Sequence, residues 1–390
     1  MLFSLALLFL IGMLFGKIFE KLKLPKLVGM LITGIILGPY LLNLLDEKIL
    51  AISPELRRIA LIIILLRAGL NLDIKDLKKA GRPAALLCFL PASIEIIGMM
   101  IFAPKIFGVS IIEAAIMGAV VAAVSPAVVV PRMLNLMDRN IGKEKAIPQM
   151  IMAGASVDDI FVIVLFTAFL GMEKGGTFEA SKLIEIPSSI IVGIIVGIII
   201  GYLLSISFKK YHLRDTGKVI ILLSIAFILV TIEDSITGNI GFSGLLAIMA
   251  IGATMKIKLT IASERLSLKF SKLWYGAEIL LFVLVGAEVN IGYALKAGTK
   301  AILLIFIVMC FRMLGVFLSV FKTKLNNREK LFTAFAYMPK ATVQAAIGGI
   351  PLAMGLACGD MVLTVAVLAI LITAPLGAFL IDRYTGLLID

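Results

Sequence analysis

GASVDDIFVIVLF, residues 154–166, sets two adjacent carboxylates inside an otherwise apolar run that extends over roughly 146–171. About twenty apolar residues are enough for a helix to cross a hydrocarbon core of roughly 30 Å. A charge near the bilayer centre costs about 2.5–3.5 kcal/mol on insertion scales, and those that persist pair with one another or line a hydrated cavity. Neighbouring helix positions point about 100° apart. Asp158 and Asp159 therefore cannot both face one spot: one should face a cavity, the other a different neighbour. The plainer alternative is a pair of structural carboxylates held by arginines.

The rest of the chain supports a membrane setting. Of its 390 residues, 61% are hydrophobic and only 16% charged, against about a quarter charged in soluble domains; the mean hydropathy is +1.11. Such a surface needs lipid as solvent. The net charge of +12 does not indicate a nucleic-acid partner, because the basic residues recur between apolar stretches instead of forming one patch. Cys88, Cys310 and Cys358 lack metal-ligand spacing and read as small buried hydrophobes. The leading MLFSLALLFLIGMLFG lacks a basic leader and a small-residue cleavage site, and reads as a retained first helix.

Apolar runs between charged breaks predict thirteen spans, at about 2–16, 25–41, 54–71, 83–106, 111–136, 146–171, 186–207, 216–232, 240–254, 271–288, 298–320, 328–355 and 359–382. Loop charge offers an independent check. Most lysines and arginines follow odd-numbered spans, as at Lys17–Lys26, Lys75–Arg82, Arg132–Lys145, Lys209–Lys218, Lys256–Lys272 and Lys322–Lys330. The alternation places the N-terminus outside and the C-terminus in the cytoplasm. No stretch is polar enough for a separate soluble domain, so residues 1–390 read as one all-α polytopic membrane domain.

Two spans carry helix breakers. In the fifth, VVAAVSPAVVVP (120–131), Pro126 removes a backbone donor and disfavours helical geometry at Ser125. The twelfth, AYMPKATVQAAIGGIP (336–351), carries Pro339 beside Lys340 and the pair Gly348–Gly349 in its middle. Broken helices at membrane depth expose carbonyls and half-helix ends, which coordinate ions in many carriers. The two broken spans are seven places apart, as are Glu95 in the fourth and Arg312 in the eleventh, so each pair crosses in opposite directions. That is the positional pattern of an inverted repeat: spans 1–6 (about 1–171) related to spans 8–13 (about 216–382), with the span at about 186–207 as linker. Glu278, in the tenth span, stays open between structural pairing, a dimer-side role and a proton site. Arg67 reads as an anchor near the cytoplasmic interface.

VSPAVVVP (124–131), GASVDD (154–159), LLRAGLNLD (65–73) and YMPKATVQAA (337–346), in that order, resemble the cation/proton antiporters, specifically their NHA group. The resemblance spans nearly the whole chain. It implies thirteen or fourteen helices forming a dimerisation panel and a core whose broken helices cross beside the aspartates, and it implies a homodimer. It also implies Asp159 as the main cation and proton carrier, Asp158 as its neighbour, Ser125 at the crossing and Glu95 with Arg312 as a structural ion pair. The chain departs from the pattern in two places. Ser125 stands where many exchangers carry an aspartate, and the lysine lies in the twelfth span, where Lys340 with Gln344 would compensate charge at the break.

The expected function is exchange of Na⁺ (or Li⁺) for H⁺ by alternating access, with no cofactor, in the inner membrane of a cell. Oxygens of Asp159, Ser125 and the Val124 carbonyl, with Asp158 as a further candidate, would bind Na⁺ in competition with the proton. Lys340 would neutralise Asp158 in the empty state. An intramembrane aspartyl protease needs two carboxylates facing each other across two helices, whereas these are adjacent on one. A channel should show a repeated filter segment. A sodium-coupled symporter of small organic anions on a similar scaffold is the remaining alternative.

Overall fold

With no water to satisfy exposed N–H and C=O groups, a chain this apolar has to close its backbone bonds locally. In the computed structural model, which describes residues 1–71, 74–142, 144–174, 180–211, 213–235 and 242–388, the described residues are helical with no strand. The helices are α1 (Leu2–Lys21), α2 (Lys26–Leu37), α3 (Glu47–Ala51), α4 (Ser53–Asn71), α5 (Ile74–Leu87), α6 (Leu90–Phe107), α7 (Ile111–Ala122), α8 (Pro126–Asp138) and α9 (Ile147–Lys174). There follow α10 (Ala180–Lys210), α11 (Asp215–Ser235), α12 (Gly244–Lys258), α13 (Thr260–Ala287), α14 (Ile291–Ser319), α15 (Asn327–Ala336), α16 (Thr342–Ile347), α17 (Ile350–Ala353) and α18 (Gly359–Arg383). Among the described residues nine helical segments are long and apolar enough to cross a membrane unaided. The remaining expected spans fall on shorter or more charged helices: α2, α4, α12 and the broken α15–α17. Of the features read from the sequence, Leu72, Asp73, Lys143 and the first two residues of the span at 240–254 lie outside the described residues.

The described residues gather into two compact units. One holds residues 1–54, 75–173 and 279–390. Within it α6 lies along α14, and the approach is close because glycines face the partner helix. A Cβ on Gly98 would stand 2.7 Å from the Phe311 ring, and one on Gly315 would stand 2.6 Å from the Pro91 backbone. Small residues of this kind let membrane helices approach where no hydrophobic drive pulls them together. Here they bring Glu95 of α6 and Arg312 of α14 face to face.

The same unit contains both broken spans, and they are built alike. α7 starts at a capping box, with the Ser110 hydroxyl on the Glu113 N–H and the Glu113 carboxylate on the Ser110 N–H. α15 starts at another, formed by Asn326 and Glu329. Such a box satisfies donors at a helix start and fixes where the helix begins. Each chain then leaves the helix and resumes it sixteen positions after its cap residue, from Ser110 to Pro126 and from Asn326 to Thr342. Pro126 sits at the first position of α8, where its missing N–H costs nothing.

The second unit holds residues 55–74 and 174–278. Gly193, Gly197 and Gly201 of α10 recur every fourth residue and lie on the Ser243, Ala247 and Ile251 carbonyls along α12. The spacing GIIVGIIIG (193–201) displays this small-residue stripe in the sequence itself. Arg67 and Glu278 also belong to this unit, close enough for their charges to act on one another. The expected burial of all three cysteines needs one correction. Cys88 and Cys358 are buried, but Cys310 is exposed, because it falls on the face of α14 opposite the one that carries Arg312 and packs on α6.

Candidate functional site

Pro126 and Pro339 each stop a helix by removing a donor and crowding the preceding turn, and the two breaks meet. Ala123 and Ser125 are extended, with ψ of 142° and 109°. The Ser125 N–H donates to the Pro339 carbonyl at 2.8 Å, a backbone bond between the two crossing segments. The interrupted helices leave carbonyls without their usual donors, and side chains take over that task. Gln344 accepts from the Ala341 N–H through Oε1 (2.7 Å) and donates through Nε2 to the Val121 and Ala123 carbonyls (3.0 and 2.8 Å). Arg312 donates to the Ala122 and Tyr337 carbonyls, one from each break. The Lys340 N–H donates to Thr373 of α18 at 2.9 Å.

Four charges then close on one another. Arg312 donates to Glu95 at 2.7 Å and to Asp158 at 3.0 Å, and the Lys340 ammonium donates to both Glu95 oxygens at 2.8 and 2.6 Å. All four side chains are buried. Two anions and two cations leave this cluster formally neutral, the condition under which buried charge is tolerable. The expectation that Lys340 faces Asp158 needs correction: its carboxylate is Glu95, and Asp158 is held by Arg312. Arg312 has a forked guanidinium with five donors, so it can serve four acceptors at once, which a lysine cannot. Gln344 bears no charge to compensate; it ties the breaks together.

Asp158 and Asp159 differ as their helical angle requires. Asp158 is fully buried, with Oδ2 accepting from the Val124 N–H (2.8 Å) as well as from Arg312. Asp159 is part-exposed and has no ion pair among the described residues. Buried oxygens ordinarily find partners, yet Ser125 Oγ, Asp158 Oδ1, Asp159 Oδ1 and Thr342 Oγ1 are buried without one. The Val124 carbonyl accepts none of the bonds that occupy the carbonyls of Val121, Ala122 and Ala123. All belong to the crossing segments or to α9 beside them, and all are hard oxygen donors of the kind alkali cations take. Thr342 was missed in the sequence; its place, two residues past Lys340 at the restart of the helix, was the available signal.

The wall behind the aspartates is tight. The Tyr337 hydroxyl packs on the backbone of Gly154, one turn before Asp158, and a Cβ there would also stand 2.8 Å from Leu87 Cβ. Gly154→Ala is expected to cost about 1–3 kcal/mol through overpacking, read as a lowered unfolding temperature of the detergent-purified protein. Wild-type thermostability in that variant would mean the α9 approach is looser than described.

Comparison with known proteins adds an independent line. Residues 5–384 match the family described as "Sodium/hydrogen exchanger, transmembrane". The chain is 34% identical to sodium/hydrogen exchanger 9B2 of Mus musculus, over 97% of this chain and 72% of that protein. It is 32% identical to sodium/hydrogen exchanger 9B1 of Homo sapiens, over 97% of this chain and 76% of that protein. Among solved structures it superposes on the sodium proton antiporter MjNhaP1 of Methanocaldococcus jannaschii with a TM-score of 0.86 at 22% identity, covering 99% and 98% of the two chains. That likeness establishes the antiporter fold.

Proposed function

Because this chain belongs to the sodium/hydrogen exchanger family, we propose that it exchanges Na⁺ or Li⁺ for H⁺ through Asp159, the carboxylate that the buried charge cluster leaves unpaired. The chain is an integral membrane transporter, not an enzyme; the ions are its substrates and no cofactor takes part. The observation that carries the reading is the neutrality of Glu95, Asp158, Arg312 and Lys340 as a set. With Asp158 committed to Arg312, one carboxylate is left to hold either a proton or a cation. Ser125, Asp158 and Thr342, whose buried oxygens lack a partner, and the Val124 carbonyl are the further oxygen donors this reading assigns to the cation.

Proton and cation compete for the same oxygens, so loading one releases the other. Either occupant neutralises Asp159. The bare carboxylate has to carry a charge through a low-dielectric barrier, which costs far more. The neutral, loaded site is therefore the one that crosses in alternating access. The matching half-helices, each restarting sixteen positions after its cap, support an inverted repeat about the crossing. The alternating loop charge supports thirteen crossings, an outside N-terminus and a cytoplasmic C-terminus, in the inner membrane of a cell. A homodimer accords with the family.

One titrating carboxylate gives one cation for one proton. In proteoliposomes loaded with a pH dye, external Na⁺ or Li⁺ is expected to discharge an imposed pH gradient at a rate unaffected by a valinomycin-set membrane potential. Competition further requires the apparent KM for Na⁺ to rise about tenfold per unit fall in pH once the proton-loaded site predominates. A rate that follows the potential would assign a second carboxylate to the cycle. Failure of every alkali cation to move protons would discard antiport in favour of sodium-coupled solute uptake.

A further inference from the structure

We propose that a cavity remote from the aspartates, at the end of the first unit where α9 begins and α14 ends, binds a phosphate group. The cavity measures about 420 Å³, within the range of small-ligand sites. Its polar wall comes from Arg82, Glu144, Lys145, Lys322 and Lys324, with Ser319 and Thr323 between them. Lys145 is already engaged, both Glu329 oxygens lying within 2.9 Å of its ammonium. Arg82, Lys322 and Lys324 have no ion pair among the described residues. Glu144 is the one acid on the described wall. The cavity thus holds a surplus of cations converging on a space large enough for a tetrahedral anion.

Two features separate this from an ordinary basic loop. Ala146 and Lys322, neither a glycine, both line the cavity with left-handed backbone, at φ of 50° and 61°. Non-glycine residues resist that region, and where it persists it clusters at ligand clamps. The partners are also mixed in the way phosphate needs: a planar guanidinium fork for two oxygens and mobile ammonium charges for the rest. The charge alternation puts these loops on the cytoplasmic side, where basic pockets among membrane helices take phosphate head groups. The wall joins the segments that precede α6 and α9 and the one that follows α14, helices that carry Glu95, Asp158 and Arg312. An anion held there would tie together the ends of the three helices on which the buried charge cluster is built.

The ligand class is a phosphate, from an anionic phospholipid or from solution, and the test separates these sources. Purified full-length protein is titrated with phosphatidylglycerol in phosphatidylcholine nanodiscs and, separately, with inorganic phosphate, following the unfolding temperature. Stabilisation by the lipid alone assigns the head group, and stabilisation by inorganic phosphate assigns a soluble ligand. Combining Arg82→Gln, Lys322→Gln and Lys324→Gln is expected to weaken the effective probe roughly a hundredfold. A control combining Lys17→Gln, Lys21→Gln and Lys23→Gln, which removes as much charge from an exposed helix end, should leave binding unchanged. Glu144→Gln should tighten it, a gain that a folding defect could not produce. Absence of stabilisation by either probe, or equal loss in both triple variants, would overturn the proposal.

Discussion

Asp159→Asn is expected to reduce cation/proton exchange to the level of protein-free liposomes while leaving the protein folded. The two halves of this expectation rest on different observations. Asp159 takes part in no ion pair among the described residues, so an amide in its place strands no buried cation. The neutral cluster of Glu95, Asp158, Arg312 and Lys340 persists without it. An amide of nearly the same shape should therefore keep the unfolding temperature close to wild type. Transport has no such reserve. Asparagine does not bind or release a proton in the working pH range, and its carbonyl offers a cation only a neutral oxygen. Asp158 cannot substitute, because Val124 and Arg312 hold one of its oxygens and its charge balances the cluster. Reconstitution with parallel measurement of dye response and thermal unfolding checks both halves. Exchange near wild type in folded Asp159→Asn would remove this carboxylate from the cycle.

Much of this arrangement was legible before any coordinates. Pro126 and Pro339 announced the breaks because proline removes a donor and forbids the preceding turn, a local effect that sequence displays directly. Partner choice was not legible. Lys340 was read as neutralising Asp158 in the empty state, yet it bonds to Glu95. Which carboxylate a lysine takes depends on how α6, α9 and the second break stack in three dimensions. That stacking is set in part by Gly98 and Gly315, whose missing side chains decide how near α6 and α14 come. Gln344 illustrates another limit. A glutamine in an apolar segment signals an unmet hydrogen bond, but not that its partners are carbonyls more than two hundred positions away. Cys310 was misread because an apolar neighbourhood in sequence does not distinguish the inward face of a membrane helix from its lipid-facing one.

The orphan oxygens around the first break also explain why the crossing is so heavily stitched. Pro126 keeps the helix from continuing, so the last carbonyls of the first half need donors from elsewhere. Gln344 and Arg312 occupy those of Val121, Ala122 and Ala123 and make no bond to that of Val124. The backbone bond from Ser125 to Pro339 then fixes the second break against the first. The same side chains thus satisfy the end of the first half-helix and bind the two breaks to each other.

Arg312 bears most of that load, and its removal is expected to have the largest effect on stability. Arg312→Met leaves Glu95 and Asp158 facing one cation, Lys340, and strands the carbonyls of Ala122 and Tyr337. Taking one partner from a buried ion pair costs about 3–5 kcal/mol, and two unsatisfied buried carbonyls add about 1–3 kcal/mol each. Such a sum approaches the whole stability of a typical domain, so the variant should be recovered poorly or not at all. Arg312→Lys should rescue only in part, since three donors at a point cannot replace a fork that spans both breaks. Lys340 provides the finer test. Lys340→Met should destabilise strongly by leaving the cluster one cation short. Adding Glu95→Gln restores neutrality, with Arg312 still on Asp158. The double variant should therefore be more stable than Lys340→Met alone, a coupling of order 1–3 kcal/mol in the double-mutant cycle. Additive losses would mean that Lys340 and Glu95 do not share one charge balance, and the derivation of a single unpaired carboxylate would fall with it.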